Sequence, residues 1–406
     1  MLPTSSRTPT RRLRPLILLV VIAISTAGLT GVSAPGAQSA ANSVPVTVRN
    51  TTGSSARMYL YLLGVDLTSA DRDTLGYVNA QGVFRAWPKV SGSAPRPAPD
   101  VAIAGPRSGK SVTLKLPLGI SGRLYYSIGS KLDLKLVADS RGRSTLVQPA
   151  PWVAGDANYS KLFDWTEFTY DNGIWINSTQ VDQFALPAAI SVTGASGRRS
   201  TGALVSGGRK KVINSMLANP AFARSVVKNS SGRVLRVLSA GHATRSGRLI
   251  AGYLDKAIAR AWSRALTVRP FENQPSLTYY GRPQGSTMVF RTKSGAVVAR
   301  FAKPSTVDAF ECAGPLAAPN DRVVGPIART LCAALNRGTL ASGSVEPVAD
   351  SGRYYRSNPM NAYAKAVHAA MANRRAYAFP FDDVAQQEPL LHDARPRSIT
   401  ITIPRI

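Results

Sequence analysis

The chain of 406 residues carries 50 Lys and Arg against 22 Asp and Glu, a formal charge of +28, and 44% of it is hydrophobic. That apolar share is ample for a buried core and excludes a chain too polar to fold. Two cysteines are too few for a Cys-only metal site, and His242, His368 and His392 show no ligand spacing, so neither a metal nor a cofactor is expected.

Residues 1–41 read as a secretory signal peptide. Arg7, Arg11, Arg12 and Arg14 precede the apolar run Leu16–Ile24, and small residues follow up to Ser39-Ala40-Ala41. Removing those four arginines takes the charge from +28 to +24. The expected mature protein is extracellular, monomeric and free of any membrane anchor, since no other stretch is long and apolar enough to span a bilayer. Its Lys and Arg are scattered, with no nucleic-acid-binding motif, so the charge reads as a solubilising surface and no nucleic-acid partner is expected.

From Val44 to about Val192 the pattern is β throughout. Val44–Arg49, Met58–Leu63, Ser111–Leu116, Arg123–Ile128 and Leu132–Val137 alternate or carry β-rich runs, separated by Gly, Pro, Ser and Asp clusters. Strands at this spacing without helices between them indicate a sandwich or barrel. Ser91–Pro99 reads as an extended, poorly ordered loop. After Gly197 the character becomes mixed. Helices are expected near Gly207–Leu217, Ala251–Leu266, Val324–Leu335 and Ala362–Ala372, with strands at Leu277–Tyr280, Met288–Thr292 and Val297–Phe301. Ala376–Phe381 and Ser398–Ile403 read as β again. The expected organisation is therefore a β domain over 42–198, completed by 373–406, with a mixed α/β domain over 199–372 and a wide cleft between the two.

Phe163–Pro187 is the segment richest in chemistry. It sets two carboxylates, Glu167 and Asp182, in a hairpin crowded with aromatic and hydroxyl side chains. Asn172-Gly173 predicts a two-residue turn, which places Glu167 opposite Ser178 and Asp182 four residues further along the same face. Four strand residues span about 13 Å, which side chains leaning inward would shorten. Carboxyls roughly 6.5–9.5 Å apart leave room for the water of an inverting glycosidase. Tyr170, Trp175, Asn177 and Thr179 offer the flat rings and polar groups that a sugar cleft needs. With a two-residue turn, however, Trp175 and Thr179 fall on the face opposite Glu167; a bulge or a three-residue loop would bring them back.

The wording of several segments resembles the glycoside hydrolase family 64 endo-β-1,3-glucanases, of the laminaripentaose-producing type. Val44-Pro-Val-Thr-Val-Arg-Asn-Thr-Thr-Gly looks like the opening strand, and Phe84-Arg-Ala-Trp-Pro with Pro97-Ala-Pro-Asp like the early loops. Phe163-Asp-Trp-Thr-Glu-Phe-Thr-Tyr and Trp175-Ile-Asn-Ser-Thr-Gln-Val-Asp are similar to the catalytic hairpin. Gly325-Pro-Ile-Ala-Arg-Thr-Leu-Cys and Tyr377-Ala-Phe-Pro-Phe-Asp-Asp-Val continue the match to the end of the chain. The resemblance implies a thaumatin-like barrel and inverting hydrolysis of β-1,3-glucan, such as laminarin, curdlan or fungal wall glucan. It assigns Glu167 as general acid and Asp182 as general base, with Thr169, Trp175 and Thr179 contacting sugar. Asp171 and Asn177 belong to the same expected substrate face, and Asp382 and Asp383 either line the cleft or cap a turn. Cys312 and Cys332, on the exported side of a membrane, are expected to form a structural disulfide. Two departures stand out: Asp171 where the family often has Asn, and a carboxylate spacing one residue shorter than usual. The alternative from another class is a thaumatin-like glucan-binding or antifungal protein without turnover, which would have no need of both acids.

Overall fold

A computed structural model describes residues 43–406 except 196, 272 and 342. The expected signal peptide over 1–41 lies outside the described residues. The fold is mainly β with several sheets, and helices are confined to the second half of the chain.

Two sheets carry the first half. The five-stranded one runs in the order Gly197–Thr201, Ala189–Gly194, Ser398–Ile403, Ser43–Asn50, Ser111–Pro117. Strict alternation decides which way its strands face: Val44, Val46 and Val48 are buried while Pro45 and Arg49 are exposed. The strand Ser398–Ile403 lies parallel to Ser43–Asn50, with Val48 beside Ile401, and antiparallel to Ala189–Gly194. The end of the chain thus completes the first sheet.

The larger sheet has eight strands. Along its main path it runs Leu390–Asp393, Gly173–Ser178, Leu162–Asp171, Ile120–Ile128, Met58–Asp66, Thr74–Val78 and Phe84–Ala86. One of its faces sends Leu60, Leu62, Leu124, Tyr126, Phe168 and Ile176 into the apolar cluster that also holds Val46, Ile190 and Ile399. Its other face builds a separate cluster from Tyr61, Tyr125, Phe163, Trp165 and Leu136. With both faces covered, Leu162–Asp171 is buried along almost its whole length, the polar Asp164, Thr166 and Glu167 included. Arg96–Pro97, expected in a poorly ordered loop, is paired to Lys135–Ala138 and belongs to a third small sheet.

The second half contributes the mixed part. The strand Val234–Leu238 pairs with Gln183–Phe184 of the first half, so a hydrogen-bonded ladder ties the hairpin segment to the helical region. The helix Val324–Arg337 is buried along almost its whole length and stops at Gly338, whose φ of 73° no β-carbon would favour. Cys332 on this helix is bonded to Cys312 at the end of the helix Thr306–Glu311, with Cα atoms 5.4 Å apart. The expected helix Ala251–Leu266 is shorter than its periodicity suggests. It covers Asp255–Ala261, because Leu266–Val268 is claimed by strand pairing with Tyr279–Gln284. Ala376–Phe381 forms no strand either; its Ala376, Ala378 and Phe379 are buried, and Ala378 N donates to the Asp382 carboxylate at 3.0 Å.

Candidate active site

The hairpin register decides which side chains share a face. Tyr170 pairs with Ile174 and Asp171 with Gly173, so the loop is three residues with Asn172 at its tip, and not the two-residue Asn172-Gly173 turn expected. Gly173 has φ 90°, and a β-carbon there would lie 2.6 Å from the Asp393 carbonyl oxygen. Glycine alone fits that corner. The shift of one residue places Asn177, and not Ser178, opposite Glu167, and Trp175 opposite Thr169. Trp175 and Asn177 therefore stand on the same face as Glu167, reversing the placement that a two-residue turn implies.

Neighbouring strands extend that face into rows. Arg123, Glu167 and Asn177 form one row across three strands. Arg123 donates to Glu167 Oε1 from Nε at 3.1 Å and from Nη2 at 2.9 Å, and its guanidinium lies 5.0 Å from the centre of the Trp165 ring. The next row is Ser121, Thr169, Trp175 and His392. Ser121 and Thr169 share a hydrogen bond of 2.7 Å, and the rings of Trp175 and His392 stack with centroids 3.9 Å apart. On the other side, Tyr125 pairs with Trp165 and donates to Gln148 Oε1 at 2.9 Å. Two buried polar atoms in these rows, Trp165 Nε1 and Asn177 Oδ1, have no hydrogen-bond partner among the described residues. Sugar hydroxyls are the type of group that satisfies such atoms.

Asp182 reaches this face by a different route. The strand ends at Ser178, and the buried Thr179 begins a bend in which its Oγ1 accepts from Val181 N at 3.4 Å. Beyond the bend, the buried carboxylate of Asp164 accepts from Ala185 N at 3.1 Å and Leu186 N at 2.8 Å, fixing the outgoing chain. Ser239 N donates to the Asp182 carbonyl at 3.1 Å, and His242 Nε2 lies 2.8 Å from Asp182 Oδ1. Burial works against ionisation of Asp182. The hydrogen bond and charge of His242, with the charge of Arg123, outweigh it and hold the carboxyl below the ordinary carboxylate range. Arg123 feels the charges of both Glu167 and Asp182, so the two acids share one electrostatic neighbourhood.

A family model described as beta-1,3-glucanase, Glyco_hydro_64, matches residues 42–403. The chain belongs to glycoside hydrolase family 64, the β-1,3-glucanases. The glucanase is 40% identical to a glucan endo-1,3-beta-glucosidase of Cellulosimicrobium cellulans over 409 residues, 99% of this chain and 72% of that one. The identity and coverage are the same for a glucan endo-1,3-beta-glucosidase of Arthrobacter sp. (strain YCWD3). Among solved structures it matches a laminaripentaose-producing β-1,3-glucanase in complex with laminaritetraose at TM-score 0.84 and 38% identity, covering 90% of this chain and 99% of that one. A β-1,3-glucanase domain from Clostridium beijerinckii matches at TM-score 0.73 and 25% identity, over 89% and 98% of the two chains.

The remaining expected site residues separate into three cases. Asp171, at the hairpin tip of this glucanase, forms an exposed ion pair with Arg72 at 3.0 Å. Asp382 has no access to a substrate: its side chain is fully buried and is bonded to Arg337 Nη2 at 2.9 Å and His368 Nε2 at 2.8 Å. It is a structural group, and not the substrate-binding residue expected from the sequence. Asp383 is exposed on the next position, and its charge and that of Glu167 both act on the half-buried Tyr377 hydroxyl. Sequence reading missed Arg123, which sits on a separate strand, and His242, which sits on the six-residue helix Ala240–Arg245 that no periodicity reveals. No cluster of three or more His, Cys, Asp or Glu suited to a metal occurs among the described residues.

Proposed function

We propose that this β-1,3-glucanase is an exported enzyme that cleaves within β-1,3-glucan chains with inversion, releasing short laminari-oligosaccharides such as the pentaose. The observation that carries the reading is the contrast between two carboxylates in one neighbourhood: Glu167 bound to Arg123 on a sheet face, Asp182 bound to His242 beside it. Inversion requires an acid that delivers a proton to the leaving oxygen and a base that activates water on the opposite face of the sugar. Asp182, held in its ionised form, suits the base. Glu167 suits the acid, because the anion it becomes on giving up its proton is met by Arg123 already in place.

Substrate contacts follow from the rows. His392 stacks on the half-buried Trp175, and an indole braced in this way serves as a platform for a glucose ring. Asn177 and Thr169 flank Glu167 on the same face and supply hydrogen bonds to hydroxyls. A thaumatin-like β domain, with the mixed α/β part forming the far wall of a wide cleft, is the architecture that suits a polymer cut internally. Export rests on the leader over 1–41, and among the described residues no helix is long and apolar enough to cross a membrane.

The test is product analysis on linear β-1,3-glucan. Chromatography of the products, with NMR of the nascent anomer, should show short oligosaccharides released first as the α-anomer by the wild type and no release by Glu167→Gln. A first-formed β-anomer would rule out inversion, and undiminished release by Glu167→Gln would rule out Glu167 as the acid.

A further inference from the structure

We infer that His242, braced by Trp152, is the positioning residue for Asp182: it holds one carboxylate oxygen so that the other faces the attacking water. The inference rests on the reading of Asp182 as the general base. Three observations converge on it. His242 Nε2 lies 2.8 Å from Asp182 Oδ1. The imidazole is stacked on Trp152 with ring centroids 3.9 Å apart and planes 8° from parallel, which fixes the plane in which its N–H points. Ser239, at the start of the same helix, donates its backbone N–H to the Asp182 carbonyl at 3.1 Å. One short helix therefore grips both the backbone and the side chain of the residue, and a carboxylate held at two points loses the freedom to turn away from its water.

The chemistry of the ring agrees. Nδ1 is buried and has no hydrogen-bond partner among the described residues. Next to a carboxylate oxygen, Nε2 carries a proton and donates it to the hydrogen bond with Asp182 whether or not Nδ1 is protonated. Among the described residues no hydrogen bond at Nδ1 competes with the bond to Asp182 for the ring's orientation. The charged and titratable groups that face Asp182 are His242 from its helix, Arg123 and Tyr125 from the strand Ile120–Ile128, and Tyr363 from the helix Ala362–Ala370, with Glu167 bound to the same Arg123. Of these only His242 is hydrogen-bonded to Asp182. Burial is the largest influence on this carboxyl and opposes its charge, so losing His242 should raise the pH at which the base ionises.

The experiment compares Asp182→Asn, His242→Ala, His242→Leu and Trp152→Leu with the wild type on soluble β-1,3-glucan, recording kcat and KM across pH and folding by circular dichroism. Removing His242 should lower kcat by roughly 10–100-fold, part of the 10²–10⁴-fold that a positioned base contributes, with KM little changed. The acidic limb of kcat/KM should move to higher pH. His242→Leu keeps an apolar surface against Trp152 and carries the same expectation if the alanine variant does not fold. Trp152→Leu leaves the N–H but frees the ring, so it should lower kcat by a smaller factor without moving the limb. The inference is overturned if a folded His242 variant keeps wild-type kcat and an unmoved acidic limb while Asp182→Asn is inactive. If Asp182→Asn itself retains turnover, the assignment of the base has failed, and that outcome is separate.

Discussion

Replacing Asp382 with alanine should unfold the protein more readily without touching its glucan site. The carboxylate is fully buried and accepts from Arg337 Nη2 at 2.9 Å, His368 Nε2 at 2.8 Å and Ala378 N at 3.0 Å. Arg337 is itself buried, with its guanidinium 4.6 Å from the centre of the Tyr354 ring. His368 Nδ1 faces the Arg374 carbonyl at 2.8 Å, so both ring nitrogens point at oxygens. Truncating Asp382 leaves a buried guanidinium without its counter-charge, a change that costs about 3–5 kcal/mol. Against a typical total of about 5–15 kcal/mol, that loss is large. The carboxyl also sets a pH signature. Burial opposes its ionisation, but His368 and Arg337 prevail and hold it below its ordinary value of 3.8. A depressed folded pKa contributes stability above the unfolded value and loses it as pH falls through the folded one. Wild-type stability should therefore drop steeply below about pH 4, and Asp382→Asn should lack that share of the drop. Urea unfolding of wild type, Asp382→Ala and Asp382→Asn at neutral and acid pH, with glucan binding measured beside it, checks this. A variant with an unchanged urea midpoint and weakened glucan binding would refute the structural assignment and return Asp382 to the cleft.

Glu167→Gln and Asp182→Asn should each lower kcat by about 10²–10⁴-fold while glucan binding and the urea midpoint stay near wild type, because proton transfer is made only in the transition state; steady-state kinetics and pull-down on insoluble glucan measure the two. Azide should restore turnover to Asp182→Ala through an α-glycosyl azide, detectable by NMR, and its failure would point to a different base. Asp164 is pushed up to about 7 by burial, which prevails over the N–H bonds it accepts. Stability from a raised pKa is full below the unfolded value and is lost as pH rises through the folded one, so this group should remove roughly 2–3 kcal/mol between pH 5 and pH 8. Urea titrations at the two pH values should show a flatter dependence in Asp164→Asn. The double variant Cys312→Ser/Cys332→Ser loses a bridge that closes a 20-residue separation, and its unfolding free energy should fall by about 3 kcal/mol.

Strand existence and the identity of the hairpin were readable from alternation and turn chemistry, because burial on a pleated sheet leaves a period of two in the sequence. The register was not. A loop of two residues and one of three differ by nothing in the letters Asp171-Asn172-Gly173; what chooses is the backbone of Asp393 and Ala394 pressed against Gly173, contributed more than two hundred positions later. Arg123 and His242 escaped for a related reason. Each is an ordinary residue in its own segment and gains meaning only through a partner on another strand or helix. Asp382 shows the reverse error. Two adjacent acids near the end of a β-rich chain suggest a cleft, yet one of them is the counter-ion of a buried arginine that its own segment does not announce.

The placement of Ser398–Ile403 between Ser43–Asn50 and Ala189–Gly194 bears on how the molecule comes into being. Thr51 Oγ1 donates to the carbonyl of Ile403 at 2.6 Å across a separation of 352 residues. The middle of the first sheet is thus supplied by a strand that lies far later in the sequence than either of its neighbours. Until it arrives, Ser43–Asn50 and Ala189–Gly194 each present an unpaired edge with a row of valine and isoleucine beneath it. Such long-range pairing is slow to form, because the entropy of closing the intervening chain is lost before the strand contacts are gained. Loss of the strand Ser398–Ile403 would leave that opening permanent and the exposed edges free to pair with a neighbouring molecule.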